Sequence, residues 1–305
     1  MTAAGLTTEQ GRRFVVAFVA LVAGAVAMGA SPVFVRWADV GPYASAFWRT
    51  GLALPFLWAW ARFESRDKGR PSYAIDRPTL LAGLFFAGDL FFWHLSILAT
   101  TVANATFLAT MAPLFVALGA WLVLGEKIAA RIIVGLALCV LGGVALMRES
   151  YGFAPERLMG DIYGLATAVF FGAYILAIGV GRARHGAAQL VFVSTAITAL
   201  CLLVIALAFE PHILPRSMQG AAALLALAVV SQVAGQGLLA IALGTLPATF
   251  SSLVIFLEAV AAAGFGWVLL GEALGLVQAL GGLLILFGIW VARPRSGDRA
   301  VEAGP

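Results

Sequence analysis

Two stretches of this chain resemble each other closely: WLVLGEKI at residues 121–128 and WVLLGEAL at residues 267–274. They lie 146 residues apart, and a glycine-rich apolar segment follows each of them. An offset of 143 residues also aligns Thr106 with Thr249. The chain is therefore one structural unit written twice, and the number of membrane spans in that unit decides the fold.

The composition is that of a membrane protein. Of the 305 residues, 62% are hydrophobic and 11% are charged, against roughly 25% charged in a typical soluble domain. A helix needs roughly 20 apolar residues to cross a bilayer, and this length predicts ten spans, numbered 1 to 10 in chain order. Their predicted bounds are residues 14–35, 43–61, 78–98, 101–124, 131–147, 160–181, 187–208, 219–242, 247–270 and 274–292.

Each unit thus holds five spans. Because five is odd, the second unit enters the membrane from the opposite side, so the predicted fold is all-α, with two inverted five-helix repeats in residues 1–150 and 151–305. Span 1 follows Arg12 and Arg13, as a cleaved signal peptide would, but the repeat requires it as a span. Basic residues are retained in the cytoplasm. With the N-terminus there, fourteen of the 19 Lys and Arg residues are cytoplasmic, and so is the C-terminus.

The charged and sulfur-containing residues restrict the partners. Arg accounts for 17 of the 19 basic residues, and these cluster between apolar segments, so no nucleic acid partner is expected. Cys139 and Cys201 lie inside apolar segments without the spacing of a metal site or disulfide, and no cofactor is expected. The expected partners are the lipid bilayer and a small-molecule substrate. Glycines at small-xxx-small spacing in spans 5 and 10 can pack within the chain or form a homodimer seam.

Polar residues inside the spans are candidates for the functional site, because an ionisable group in hydrocarbon is costly. Asp89 lies in span 3 and Glu258 in span 9. The offset of 143 pairs Asp89 with Gln232 and Trp93 with Gln236, and each i, i+4 pair occupies one helix face. We predict that these residues line a substrate pocket near mid-membrane. The alternative is hydrogen bonding between helices.

Aromatic residues extend the predicted substrate site. Tyr163 and Tyr174 lie on one stripe of span 6, which either contacts substrate or packs against neighbouring helices. Trp48 is predicted to line the outer entrance. His94 can shuttle protons, or it can bond a backbone carbonyl. Arg49 is predicted to form a structural pair, with Asp39 as the preferred partner.

Other residues are predicted to shape or move the helices. Pro32 and Pro113 interrupt the hydrogen-bond ladder of spans 1 and 4, and gating or coupling roles are predicted for them together with Asp89 and Glu258. Glu258 can instead be structural. The glycines of the two Gly-Glu pairs, at 125–126 and 271–272, suit helix ends in the left-handed conformation.

Three stretches carry a family resemblance: WRTGLALP at 48–55, APLFVALGAWLVLGEK at 112–127 and LEAVAAAGFGWVLLGEA at 257–273. Together with ten spans in two repeats, they resemble the EamA family of the drug/metabolite transporter superfamily, and within it the YddG-type amino acid exporters. Many relatives carry proline after the glutamate of span 9, where this chain has Ala259. The resemblance implies export across the bacterial inner membrane.

The predicted function is secondary transport of amino acids, aromatic and other neutral ones, by alternating access around a midplane pocket. No Walker-type phosphate loop occurs. A multidrug or organic-cation exporter is the alternative, since a hydrophobic cavity with a buried acid also suits organic cations. An intramembrane enzyme would need a nucleophile and base or a metal site, and His94, His185 and His212 supply neither. A sensor would need a signalling domain, and the tail after Arg293 is twelve residues long.

Overall fold

The computed structural model describes residues 3–66, 75–100, 102–125, 127–146, 157–271 and 275–294, and within these ranges the chain is helical without a strand. The helices are α1 (Ala3–Gly29), α2 (Ser31–Trp37), α3 (Pro42–Gly51), α4 (Leu54–Arg66), α5 (Arg77–Ala99), α6 (Val102–Ala109), α7 (Ala112–Leu124), α8 (Ala130–Leu146), α9 (Leu158–Arg182), α10 (Ala187–Phe209), α11 (Met218–Ala226), a π-helix (Leu227–Gln236), α12 (Gly237–Ala242), α13 (Ala248–Val254), α14 (Phe256–Leu270) and α15 (Leu276–Ala292).

Seven helical stretches of the described chain are long and apolar enough to cross a membrane. Their bounds are Gly11–Trp37, Arg77–Ala99, Ala105–Val123, Leu158–Arg182, Ala187–Phe209, Met218–Ala242 and Ala248–Leu269. Two shorter apolar helices, Ala130–Ala145 and Leu276–Ala292, accompany them. Large apolar side chains such as Val204, Leu141 and Leu283 are exposed on the outer surface, as lipid contact requires. This is the pattern of a multi-pass membrane protein, and the count of ten spans stays a prediction.

Several predicted spans are interrupted. Span 1 breaks at Ala30, and Pro32 lies in the first turn of the helix that follows. Span 4 breaks between α6 and α7, and Pro113 lies in the first turn of α7. Span 9 breaks at Ile255, between α13 and α14, without a proline. Both prolines thus begin helices, because a fixed φ and a missing N–H suit the first turn.

Span 8 contains the π-helix at Leu227–Gln236, which includes both Gln232 and Gln236. Each peptide there bonds five residues along the chain rather than four, so the register of side chains shifts relative to an α-helix. Irregularities of this kind are frequent at functional sites. Gln232 and Gln236 are both buried. Gln232 bonds Arg49 and Thr195, whereas Gln236 contacts Met28.

The glycines of the two Gly-Glu pairs end helices in the predicted way. Gly125 has φ 69° and ends α7, and Gly271 has φ 70° and ends α14. The N–H of each bonds the carbonyl five residues earlier, Ala120 O and Gly266 O respectively. The prediction of left-handed glycines at these ends is confirmed. The partners Glu126 and Glu272 lie outside the described residues.

Helices α8 and α15 pack together through their glycines. A Cβ on Gly142 would lie 2.6 Å from Gly281 O, and a Cβ on Gly288 would lie 2.7 Å from Gly135 O. The higher-numbered glycine of one helix faces the lower-numbered glycine of the other, so the two helices run antiparallel. Of the two predicted uses of these glycines, the structure shows packing within the chain. A homodimer through spans 5 and 10 stays a prediction.

Glu64, at the end of α4, caps α10 across the two halves of the chain. Helix α10 starts after Gly186, which has no side chain to cap the first turn. The Glu64 carboxylate accepts hydrogen bonds from the backbone N–H groups of Ala187 (3.0 Å), Ala188 (3.0 Å) and Gln189 (3.4 Å). A carboxylate is favoured there because the helix N-terminus carries partial positive charge.

A glutamate from the other half of the chain caps α3 in the same way. Helix α3 starts after Gly41, and the Glu210 carboxylate, just past α10, accepts from Tyr43 N (2.6 Å) and Ala44 N (3.1 Å). A Cβ on either N-cap glycine would overlap the capping carboxylate. Each half of the chain therefore caps a helix of the other half.

Candidate functional site

A small cavity of about 40 Å³ lies among the broken helices. It brings together four of the predicted site residues, namely Asp89, Trp93, Gln236 and Glu258. Its wall consists of Met28, Ser31, Arg49, Asp89, Leu90, Trp93, Thr106, Ala109, Thr110, Thr167, Phe171, Gln236, Ile255 and Glu258.

Helix breaks supply part of the polar surface. Ser31 directly follows the break in span 1, Thr110 lies in the break of span 4, and Ile255 forms the break in span 9. Irregular backbone at membrane depth is tolerated where it lines a cavity, since polar groups left free by the break can find partners there. The breaks therefore mark the cavity as the polar centre of an apolar bundle.

Arg49 is the basic side chain of the cavity wall, and sequence reasoning placed it elsewhere. Its guanidinium is buried, with the side chain 6% exposed, and its Nε donates to Gln232 Oε1 at 3.3 Å. Its Cζ lies 5.7 Å from the ring centroid of Phe86. Gln232 in turn donates from Nε2 to Thr195 Oγ1 at 3.1 Å. Gln232 thus contacts one edge of the guanidinium, and the Phe86 ring lies against one of its faces.

The predicted pairing of Arg49 with Asp39 is wrong. Asp39 precedes α3 and its Oδ2 accepts from Arg216 N at 3.1 Å. Arg49 lies seven residues into the same helix, and at 1.5 Å per residue that is about 10 Å deeper. The side chain therefore reaches the cavity and not the loop.

Two carboxylates share the cavity with this single guanidinium. Asp89 comes from α5 and is 7% exposed. Among the described residues no basic side chain forms an ion pair with it within 4 Å. Glu258 lies in the first turn of α14, where the helix N-terminus favours negative charge. With both acids ionised, the cavity wall carries one charge more negative than positive.

Five other residues predicted for the substrate site lie away from the cavity wall. Gln232 is one of them and bonds Arg49 and Thr195, and two more are the tyrosines of span 6. Tyr174 is buried with its ring stacked 4.6 Å from Phe86, so it supports the ring under Arg49. Tyr163 is half-buried and its ring lies 6.1 Å from that of Phe92. Thr167, four residues after Tyr163 on the same face of α9, lines the cavity instead, because both tyrosines pack against phenylalanines of α5.

The remaining two are Trp48 and His94. Trp48 Nε1 donates to Ile213 O, in the loop after α10. His94 Nδ1 lies 2.6 Å from Leu90 O, which is the carbonyl contact considered as its alternative. Neither side chain lines the cavity.

Arg49, Ser31, Thr106 and Thr110 line the cavity without having been predicted to do so. A signal existed for Arg49, since the cost of burying charge that singled out Asp89 applies equally to a guanidinium inside a span. The three hydroxyl residues carry no comparable signal, because serine and threonine are common in membrane helices.

Comparison with known proteins gives one family. The EamA-like transporter family model matches residues 15–148 and 158–293, so it covers both halves of the chain. The pseudopaline exporter CntI of Pseudomonas aeruginosa, from strains UCBPP-PA14 and PAO1, is 30% identical over 207 residues, 68% of this chain and 71% of that protein. An uncharacterized transporter of Archaeoglobus fulgidus is 27% identical over 289 residues, 90% of this chain and 94% of its own.

A solved crystal structure of a protein shares the fold. It superposes with a TM-score of 0.77 at 20% sequence identity, covering 92% of this chain and 96% of its own. At this identity the likeness concerns the fold alone.

Proposed function

The chain belongs to the EamA-like transporter family, and on that premise we propose that it exports amino acids, aromatic and other neutral ones, by alternating access. Members of this family are transporters and not enzymes. The proposed location is the bacterial inner membrane, with both termini in the cytoplasm. The observation that carries the substrate class is a cavity with one guanidinium, two carboxylates and aromatic walls.

The packing of α8 on α15 supports ten spans in two inverted repeats. Gly142 approaches Gly281, and Gly288 approaches Gly135. The offset of 146 exchanges these two contacts, as a two-fold axis would. Because the helices are antiparallel, that axis lies across them and hence in the membrane plane. Inverted repeats of this kind are a common basis of alternating access.

A difference between the halves supports a transport cycle. An apolar groove of about 660 Å³ opens between α1, α13 to α14 and α15, with Phe14 and Arg293 among its lining residues. At the equivalent place between α9 and α6, a Cβ on Gly164 would lie 2.9 Å from Leu108 Cβ. One side is thus open and the other closed. With cytoplasmic termini the open side faces inward, and the breaks at Pro32 and Pro113 are the proposed hinges.

The charge pattern favours a zwitterion. Arginine binds carboxylates through a planar fork, and the Nε contact to Gln232 leaves the terminal nitrogens of Arg49 for that purpose. Asp89 and Glu258 offer partners for an ammonium group. Trp93 and Phe171 supply an apolar wall for a side chain. The two carboxylates against one guanidinium also provide a place for a coupling proton.

Counterflow of labelled amino acids into proteoliposomes tests this function, with aromatic, aliphatic and charged substrates and with or without an imposed pH gradient. Arg49→Gln should raise the half-saturation concentration roughly 10- to 100-fold, as the loss of a charged hydrogen bond does. Arg62→Gln is the matched control, since Arg62 is exposed outside the cavity. If folded protein moves no amino acid, the proposal fails.

An organic-cation exporter is the second candidate, favoured by the excess of acidic over basic groups in the cavity. It predicts uptake of cations that carry no carboxylate. It also predicts that Arg49→Gln leaves their transport intact or improves it, because removal of the guanidinium makes the cavity more negative. Asp89→Asn should impair such cations and amino acids alike.

A further inference from the structure

The two halves of the cavity are built from equivalent positions that carry unlike residues. The offset of 143 pairs Ser31 with Tyr174 and Gln236 with Trp93, and the offset of 146 pairs Glu258 with Ala112. One half therefore brings three oxygen acceptors to the cavity wall, whereas among the equivalent residues of the other half only Trp93 lines the wall and Tyr174 and Ala112 do not.

Packing shows that the positions of Glu258 and Ala112 are structurally equivalent. A Cβ on Gly29 would lie 2.8 Å from Glu258 O, and a Cβ on Gly172 would lie 3.1 Å from Ala112 O. Gly29 and Gly172 are themselves 143 residues apart. The helix pairs thus cross at matching points, and the difference between the halves is one of side chains.

The three acceptors lie around the break in span 1. Two contacts lie at the end of α1, just before the break: Gln236 Nε2 is 3.1 Å from Met28 Sδ, and Gly29 packs against the Glu258 backbone. Ser31 follows two residues later, and Ser31, Gln236 and Glu258 all line the cavity. Gln236 and Glu258 therefore both lie beside the break.

Two of these acceptors are buried and lack a partner. Ser31 Oγ and Gln236 Oε1 make no hydrogen bond among the described residues, and the side chains are 2% and 1% exposed. A thioether cannot donate a hydrogen bond, so the amide nitrogen of Gln236 faces Met28 and its oxygen is left over. Buried polar atoms without partners are rare, and a ligand or an ordered water usually satisfies them.

Glu258 is the carboxylate available to a ligand cation. It lines the cavity from the first turn of α14, and its backbone lies against Gly29 at the break in span 1. Glu258 contributes negative charge beside the two unpartnered oxygens.

We propose that Ser31, Gln236 and Glu258 form a subsite for a primary ammonium group, which fixes the orientation of the substrate. The inference rests on the proposed function and assigns the amine end of the same substrate. An alkyl ammonium has three N–H donors, one for each acceptor. The carboxylate then lies at Arg49 and the side chain against Trp93. A quaternary ammonium has no donor and is rejected.

Binding to the purified protein, measured by calorimetry, tests this subsite apart from transport. The probes are phenylalanine, phenethylamine, its N,N,N-trimethyl derivative and 3-phenylpropanoate, which lacks the amine. Ser31→Ala and Gln236→Met should each weaken phenylalanine and phenethylamine about tenfold, because a hydrogen bond to a charged group is lost. Both variants should leave 3-phenylpropanoate within about twofold. Ser251→Ala, which also removes a buried unpartnered hydroxyl but lies outside the cavity wall, is the matched control.

The outcomes separate the two claims. Equal weakening of phenylalanine and 3-phenylpropanoate, unchanged phenethylamine binding in both variants, or tight binding of the trimethyl derivative would each overturn the subsite. So would failure of the wild-type protein to bind phenethylamine. Binding with the expected variant pattern but without counterflow would leave the subsite in place and refute amino acid transport.

Discussion

Removing the Glu64 carboxylate should destabilise the protein far more than removing an exposed acid. Glu64 accepts three backbone hydrogen bonds, two at 3.0 Å and one at 3.4 Å, from the first turn of α10. In Glu64→Ala these N–H groups lose their partner, and Gly186 has no side chain that replaces it.

The size of the effect follows from the number and kind of bonds. Replacing an N-cap side chain costs about 0.5–2 kcal/mol, and hydrogen bonds to charged groups contribute about 1.5–3 kcal/mol. Glu64 is half-buried, so water replaces part of the loss. We expect about 2–3 kcal/mol, which corresponds to a fall of roughly 5 °C in the unfolding temperature.

Thermal unfolding in detergent, followed by tryptophan fluorescence, measures this change. Glu9→Ala is the control, because Glu9 forms an exposed ion pair with Arg13 at 2.7 Å and such pairs contribute about 0–1 kcal/mol. Gly186→Ser provides a second test. Its side chain would overlap the Glu64 carboxylate in the wild type, but in Glu64→Ala it can cap the helix itself. A serine that has the same effect in both backgrounds would refute the capping argument.

Four further substitutions test the fold. Gly142→Ala should destabilise the protein by about 1–3 kcal/mol, because the new Cβ overlaps α15. Gly264→Ala should stabilise it by about 0.5–1 kcal/mol, since no atom lies within 4 Å of the new Cβ. Thermal unfolding compares the two variants. Gly125→Ala should cost about 1 kcal/mol at its φ of 69°, measured in the same way. Partial burial opposes ionisation of Asp76, but hydrogen bonds from Thr79 and His185 outweigh it and lower the pKa from 3.8 to about 2. The resulting stability is present above pH 3.8 and lost as pH falls through 2, so Asp76→Asn should flatten the acid limb of a stability curve.

The helix bounds were largely predictable because the bilayer sets helix length. Helices α9 and α10 begin and end within two residues of the predicted spans 6 and 7. The break at Ile255 and the π-helix at 227–236 were not predictable, since no proline marks either of them. Such irregularities depend on neighbouring helices, which a single segment of sequence does not describe.

The cavity was predictable where burial of charge or amide groups is costly. That argument led to Asp89 and Glu258 and, through the repeat, to Gln236. The same argument applies to Arg49, but the nearby Asp39 suggested a structural ion pair instead. The tyrosines of α9 were chosen for sharing a stripe, but the rotation of a helix about its axis is a property of tertiary packing.

The two halves of this chain share the same helix contacts but carry different residues in the cavity wall. The likeness and the difference each follow from a physical requirement. Two repeats that exchange open and closed forms need states of nearly equal free energy. Repeated contacts meet that need, such as those of α8 with α15 and the paired caps of Glu64 and Glu210. An amino acid has one carboxylate and one ammonium group and therefore no two-fold symmetry of its own. A symmetric wall would bind it in two orientations, whereas the proposed placement of the ammonium group at Gln236 and of the side chain at Trp93 selects one of them.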